Sequence, residues 1–142
     1  MLTVVAALIE SEGKLLVCQR RRGDTFELLW EFPGGKRRAG EKLEEALARE
    51  LREELGVTAR IGAEMYRTRH RYRGMAEGIE LVFFAASVER GEVRNLVFER
   101  IAWREPRRLR SVDFLAADKK LIEKLARGAM RLPGGGKGKM PR

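Results

Sequence analysis

Residues 35–57, GKRRAGEKLEEALARELREELGV, decide how the rest of the chain is read. Glu50, Glu53 and Glu54 stand at i, i+3 and i+4. On an α-helix that spacing projects all three carboxylates from one face within a single turn. Leu43, Ala46, Leu47, Leu51 and Leu55 form an apolar stripe beside them, and Gly56 is suited to a left-handed C-cap, so a helix is predicted from about Glu41–Glu44 to Gly56. Arg49 lies four residues after Glu45 and four before Glu53, where pairing along the helix neutralises Glu53. The i±3 and i±4 neighbours of Glu50 and Glu54 are apolar residues, a threonine or other glutamates, which leaves mutual repulsion on the order of a few tenths of a kcal/mol and no local cation. Hard divalent cations are bound by clustered carboxylate oxygens, Mg²⁺ typically by one or two together with waters and phosphate oxygens. The triplet is therefore a metal-site candidate, against the plainer reading of a solvated, ion-paired helix face.

Upstream, Trp30-Glu31-Phe32-Pro33-Gly34-Gly35-Lys36 reads as a strand that turns sharply, its glycines allowing backbone to approach a ligand. Thr3–Ile9 and Leu15–Gln19 are apolar runs separated by a polar, glycine-containing turn and read as a hairpin. Arg20, Arg21 and Arg22 close it, with Arg20 the functional candidate and its neighbours read equally well as a charged strand edge; Gly23–Leu29 reads as a loop. Downstream, Val57–Met65 is a predicted strand. Tyr66–Gly78 is a basic, partly aromatic segment in which Tyr72 and several arginines could meet a base, or simply form an exposed hairpin around a solvated His70. Ile79–Val88 is the clearest strand and is placed centrally. Val93–Trp103 is a weaker segment holding Glu99, an extra carboxylate or a surface one. Asp118 precedes a short amphipathic helix over Lys119–Arg127 and reads as its N-cap. The glycine-rich basic tail over residues 133–142 is expected to be disordered.

With 142 residues the chain is long enough for one domain with its own core. A single cysteine, Cys18, and a single histidine, His70, exclude an internal disulfide and a Cys/His zinc site. The formal charge of +9, from 22 Arg and 8 Lys against 21 acidic residues, favours anionic partners without choosing among them. No apolar run approaches the roughly 20 residues that span a bilayer. Leu2–Ile9 lacks a basic leader and a small-residue cleavage site, and a cytoplasmic protein is expected.

Gly35, five residues, Glu41, seven residues, and then Arg49-Glu50-Leu51-Arg52-Glu53-Glu54-Leu55-Gly56-Val57 resemble the signature box of the Nudix hydrolases, every fixed position being filled. The residues in front of the box, Trp30–Lys36, are similar to the MutT-like branch, and the order of elements fits over about residues 3–127. The resemblance implies an α/β/α sandwich around a mixed β-sheet within residues 1–132, and a Mg²⁺-dependent enzyme, with Mn²⁺ as a substitute, that hydrolyses a phosphorus anhydride. Carried onto this chain, it implies Glu53 and Glu54 as metal ligands and Glu50 as a further ligand or as the group positioning water. It also implies a metal contact from the Gly34 carbonyl, carboxylate orientation by Arg49, support from Glu41 and a late metal contribution from Glu99. Arg20 and Phe32 fall where the branch contacts the nucleotide. Asp118 falls where the oxidised-guanine hydrolase has an asparagine and where cytidine-nucleotide pyrophosphohydrolases have an aspartate.

The expected activity is hydrolysis of a nucleoside triphosphate to the monophosphate and pyrophosphate, sanitising the pool of oxidised guanine or cytidine nucleotides. Dinucleoside polyphosphate hydrolysis, for which Tyr72 is the pointer, and ADP-ribose hydrolysis are the alternatives within the family. A nucleotide-sensing or RNA-binding module is the alternative outside catalysis. The expected partner is the nucleotide, with no stable nucleic acid or membrane partner, for a monomer or homodimer.

Overall fold

The computed structural model describes residues 1–133. Strand β1 (Leu2–Ser11) turns into β2 (Lys14–Gln19) through Glu12 and Gly13, both at positive φ, as a two-residue hairpin requires. There follow β3 (Trp30–Glu31), β4 (Gly34–Lys36), helix α1 (Leu43–Leu55), β5 (Thr58–His70), β6 (Ile79–Arg90), β7 (Arg100–Arg104), 3₁₀ turns at Pro106–Ser111 and Ala116–Asp118, and helix α2 (Lys119–Ala126).

The sheet is mixed: β1 runs parallel to β6 and antiparallel to β2 and β4, β6 pairs with β5, and β2 pairs with β3 and β7. β1 and β2 are paired only near their turn, at Glu10–Leu15 and Ser11–Lys14. Residues 30–36 fill the opening beyond. Trp30 and Glu31 pair with β2, the Pro33 carbonyl accepts from Ala7 N–H at 2.9 Å, and Gly34–Lys36 pair with Val4–Ala6 of β1. The double glycine is thereby delivered to the middle of the sheet, beside α1.

Alternation along β1 divides the core in two. Val5, Ala7 and Ile9 face Leu47, Leu51 and Leu55 of α1 together with Val82 and Phe84. Ala6 and Leu8 face the other way and meet Leu81, Phe83, Leu109, Phe114, Leu121 and Leu125. Helices thus cover both faces of a mixed sheet, the sandwich expected from the sequence, and Gly56 caps α1 at φ 71°.

β5 runs to His70, five residues past the predicted Met65, because its ladder with β6 continues to His70–Ile79 and Tyr66 packs on Phe83. His70 therefore ends a strand and does not sit in a flexible loop. Asp118 occupies the N-cap position of α2, but its side chain makes no capping bond and is only 3% exposed. The disorder expected of residues 133–142 lies, Pro133 apart, outside the described residues.

Leu51 is wholly buried between α1 and β1. Leu51→Ala is expected to lower the unfolding free energy by about 2–5 kcal/mol in denaturant titrations.

Candidate active site

Arg49 organises the outer half of the site. Its Nε and Nη2 donate to the two oxygens of Glu41 at 2.6 and 3.0 Å, Nη2 also donates to the Lys36 carbonyl at 3.0 Å, and Nη1 donates to Glu50 Oε2 at 2.9 Å and to Glu53 Oε1 at 3.3 Å. One guanidinium, mostly buried, thus ties the loop after β4 to α1. The hydrogen bonds from Arg49 and from the Arg38 amide hold the Glu41 carboxyl down at about 2. Helix spacing places Arg49 within reach of Glu45 and Glu53. The structure shows it also holding Glu50, its sequence neighbour, which a long guanidinium reaches by folding back over the helix surface.

Glu54 receives no cation from any described side chain. Its Oε1 accepts the Gly34 N–H at 3.1 Å, and burial, then Glu50, then Glu31 push its carboxyl up to about 9. Both glycines of the turn are needed for this closeness. Gly34 lies at φ 154°, where a Cβ would run into the Val5 carbonyl and come 2.7 Å from Ala6 Cα; a Cβ on Gly35 would come 2.5 Å from the Glu50 carboxyl carbon. The Gly34 group that reaches a carboxylate is its amide.

Glu50 and Glu54 form a close, mostly buried oxygen pair without enough positive charge, a donor set that fits a hard divalent cation. Glu53 is turned outward, 48% exposed and paired with Arg49 and, at 3.8 Å, Arg38. Glu99 accepts the Arg22 amide at 3.2 Å, and its own amide donates to the Gln19 carbonyl. Among the described residues no three acidic, His or Cys side chains gather closely enough to hold an ion by themselves. The structure brings together two of the expected ligands, Glu50 and Glu54, while Glu53 and Glu99 stand apart.

A cleft of about 480 Å³ opens beside Glu54 and is lined by Arg20, Glu31, Phe32, Tyr72 and Asp118 among others. Phe32 is core as much as wall, against Phe83 and Phe114. Arg20 donates to both Glu31 oxygens at 3.2–3.3 Å and to the Thr25 carbonyl at 2.6 Å, fixing the loop between β2 and β3. Trp30 N–H donates to the Asp113 carbonyl and Leu115 N–H to the Trp30 carbonyl, which pins the segment leading to Asp118 against β3. The Tyr72 hydroxyl accepts the Ala117 N–H at 3.1 Å, and its ring packs on Phe26 and His70 at centroid distances of 4.5 and 4.4 Å. His70 is thus an aromatic neighbour of the cleft wall. Burial raises the carboxyls of Asp118 and Glu31; the Glu31 charge adds to the first, and Arg20 partly offsets the second.

Glu31 was not singled out by sequence reasoning. Its signal is a lone carboxylate between Trp30 and Phe32, on a strand paired with the wholly buried Cys18. Phe26, at φ 57°, carried no signal, because a phenylalanine seldom adopts that backbone.

The NUDIX domain profile matches residues 1–125. The chain is 35% identical over 123 residues to the CTP pyrophosphohydrolase of Escherichia coli strain K12, spanning 87% of this chain and 90% of that one. It is 36% identical over 126 residues to the 8-oxo-dGTP diphosphatase of Haemophilus influenzae, spanning 88% and 91%. Its fold matches the solution structure of the E. coli ORF135 protein with a TM-score of 0.73 at 34% identity, covering 91% of this chain and 89% of that one.

The Glu54 carboxyl, ordinarily near 4.5 and held at about 9 in the folded protein, gives a pH signature. Between those values the folded state keeps a proton that the unfolded state has released, so stability falls as pH rises, by up to ~1.4 kcal/mol per pH unit. Thermal melts in chelator from pH 5 to 9 are expected to show this decline, and Glu54→Gln to flatten it and raise the melting temperature at pH 8.

Proposed function

The chain belongs to the Nudix hydrolase family, and on that premise we propose that it is a divalent-cation-dependent nucleoside triphosphate pyrophosphohydrolase, cytoplasmic and acting in nucleotide-pool sanitation. Water and a nucleoside triphosphate yield the monophosphate and pyrophosphate. The observation that carries this reading is the buried Glu50–Glu54 pair, set against the double glycine at the mouth of a nucleotide-sized cleft.

Glu50 and Glu54 would hold Mg²⁺, with Glu53 joining by giving up its exposed pairing to Arg38 and Arg49; Mn²⁺ would serve in its place. The cation supplies charge neutralisation on the phosphate oxygens. The protein's own groups do the rest. Glu50, anchored through one oxygen by Arg49, orients the attacking water with the other. Arg49 and Glu41 keep the loop after β4 docked on α1, so both carboxylates stay where the phosphates arrive. Lys36, at the cleft wall, offers a positive charge to the leaving pyrophosphate.

The base reading rests on Asp118 and Glu31. Burial, and then the Glu31 charge, shift the Asp118 carboxyl toward its acid form, and a carboxyl in that form offers one O–H donor beside one carbonyl acceptor. That pair complements an edge with a ring nitrogen acceptor next to an amino group, as in cytosine, better than the adjacent N–H donors of guanine. Cytidine nucleotides are therefore the favoured substrates, and oxidised guanine nucleotides the second choice. Phe32 and Tyr72 supply the apolar walls, and Arg20 keeps Glu31 in place.

A panel of CTP, dCTP, 5-methyl-dCTP, 8-oxo-dGTP, ADP-ribose and diadenosine polyphosphates, compared by kcat/KM, tests the assignment; a preference for either of the last two would displace it. Glu54→Gln is expected to reduce kcat by about 10²-fold or more, and full cation-dependent turnover by that variant would overturn the catalytic reading. Asp118→Ala is expected to reduce kcat/KM for CTP by about 10- to 100-fold, the loss of one or two buried hydrogen bonds, with a smaller effect on 8-oxo-dGTP.

A further inference from the structure

The charge of this protein is segregated along the chain. Residues 1–103 carry 18 basic and 17 acidic side chains; residues 104–142 carry 12 basic and 4 acidic ones. The second group includes the 3₁₀ turn at Pro106–Ser111 and helix α2, which pack together on the face of the sheet opposite α1. Of the four acidic residues there, Asp118 is buried, Glu105 is shared by Arg107 and Arg108, Glu123 is taken by Arg110, and only Asp113 is an exposed carboxylate without an ion pair among the described residues. Among the described residues no carboxylate pairs with Lys119, Lys120, Lys124, Arg127 or Arg131.

These cations are not arranged for helix stability. Lys120, Lys124 and Arg127 stand at i, i+4 and i+7 on one stripe, where like charges repel. Lys119 and Lys120 occupy the first turn, where the helix dipole disfavours positive charge, although Lys124 and Arg127 gain from it at the other end. The apolar side of α2 is spent in the core: Leu121, Ile122 and Leu125 are at most 5% exposed. No large exposed hydrophobic side chain occurs among described residues 104–133, so this face has nothing to insert into a bilayer and no aromatic platform for bases.

We propose that this basic face binds the phosphodiester backbone of nucleic acid, independently of sequence and of the catalytic cleft. Spaced ammonium and guanidinium groups without aromatic or apolar neighbours match a repeating phosphate and little else.

The test uses the full chain, with fluorescent 20-nucleotide single-stranded RNA and a 20-base-pair DNA duplex, from about 20 to 200 mM salt. Binding is expected to weaken linearly in log–log form, with no preference among sequences. Lys120→Glu/Lys124→Glu/Arg127→Glu should reduce the salt slope by about 2 to 3 and weaken low-salt binding at least about tenfold, while kcat/KM for CTP stays unchanged. Should the triple reversal fail to fold, Lys120→Gln/Lys124→Gln is read in its place, with a slope loss of about 1 to 2. Displacement of RNA by excess CTP would move binding into the cleft and overturn the proposal. So would wild-type binding in the reversed variant, no wild-type binding at 20 mM salt, or binding confined to phosphatidylserine vesicles. Binding to RNA alone or to both polymers supports it and identifies the backbone geometry preferred.

Discussion

Glu54 is a buried carboxylate to which no described side chain brings a positive charge, and much of the architecture around it exists to hold it there. Burying an ion without a partner is strongly unfavourable, and the Glu54 carboxyl is accordingly pushed up to about 9. What brings it so close to the chain is backbone. β1 and β2 separate after one turn of pairing, residues 30–36 enter the opening, and two glycines remove the side chains that would otherwise meet Val5 and Glu50. The instability of the unpaired carboxyl and the readiness to take a cation are one property, which is the usual relation between strain at a site and its use.

Much of this was legible in residues 35–57. The apolar stripe of α1 and its glycine cap follow from a 3.6-residue period, and the alternation in β1 and β6 follows from burial on both faces of a sheet, so the sandwich was readable before any coordinate. The partners of the carboxylates were less so. Spacing rules describe neighbours one turn apart, and Arg49 instead spans Glu41, Glu50, Glu53 and a backbone carbonyl at once. Glu31 escaped because its role depends on strand pairing with Cys18, a contact between distant parts of the chain. The outward turn of Glu53 was equally invisible, since it depends on Arg38, a residue of the preceding loop that only folding brings within reach, as well as on Arg49.

The proposed chemistry and the proposed recognition fall to different parts of the molecule. The carboxylates of α1 belong to one face of the sheet, whereas Phe32 and Asp118 belong with the segment that covers the other. The turn at residues 30–36 joins the two: Glu31 lines the cleft with Asp118 and, three and four residues on, the Gly34 amide reaches Glu54 and Gly35 leaves room for Glu50. A change of base preference can therefore arise at Asp118 without disturbing α1, while a change at Gly34 or Gly35 would disturb both.

The same division accounts for where the positive charge has gone. Near α1, Arg49 and Arg38 are committed to carboxylates, and a free cation beside Glu50 and Glu54 would compete with the proposed metal for the same oxygens. The opposite face carries no such constraint, since its packing is completed by Leu109, Phe114, Leu121 and Leu125, and its polar surface is left without a structural task. A chain of this composition that keeps residues 1–103 near neutrality carries its excess of basic residues in 104–142, and those described lie on the outer surface of the layer whose inner side supplies Asp118 to the cleft. Charge there would draw polyanions, as proposed, while adding no positive charge beside Glu50 and Glu54.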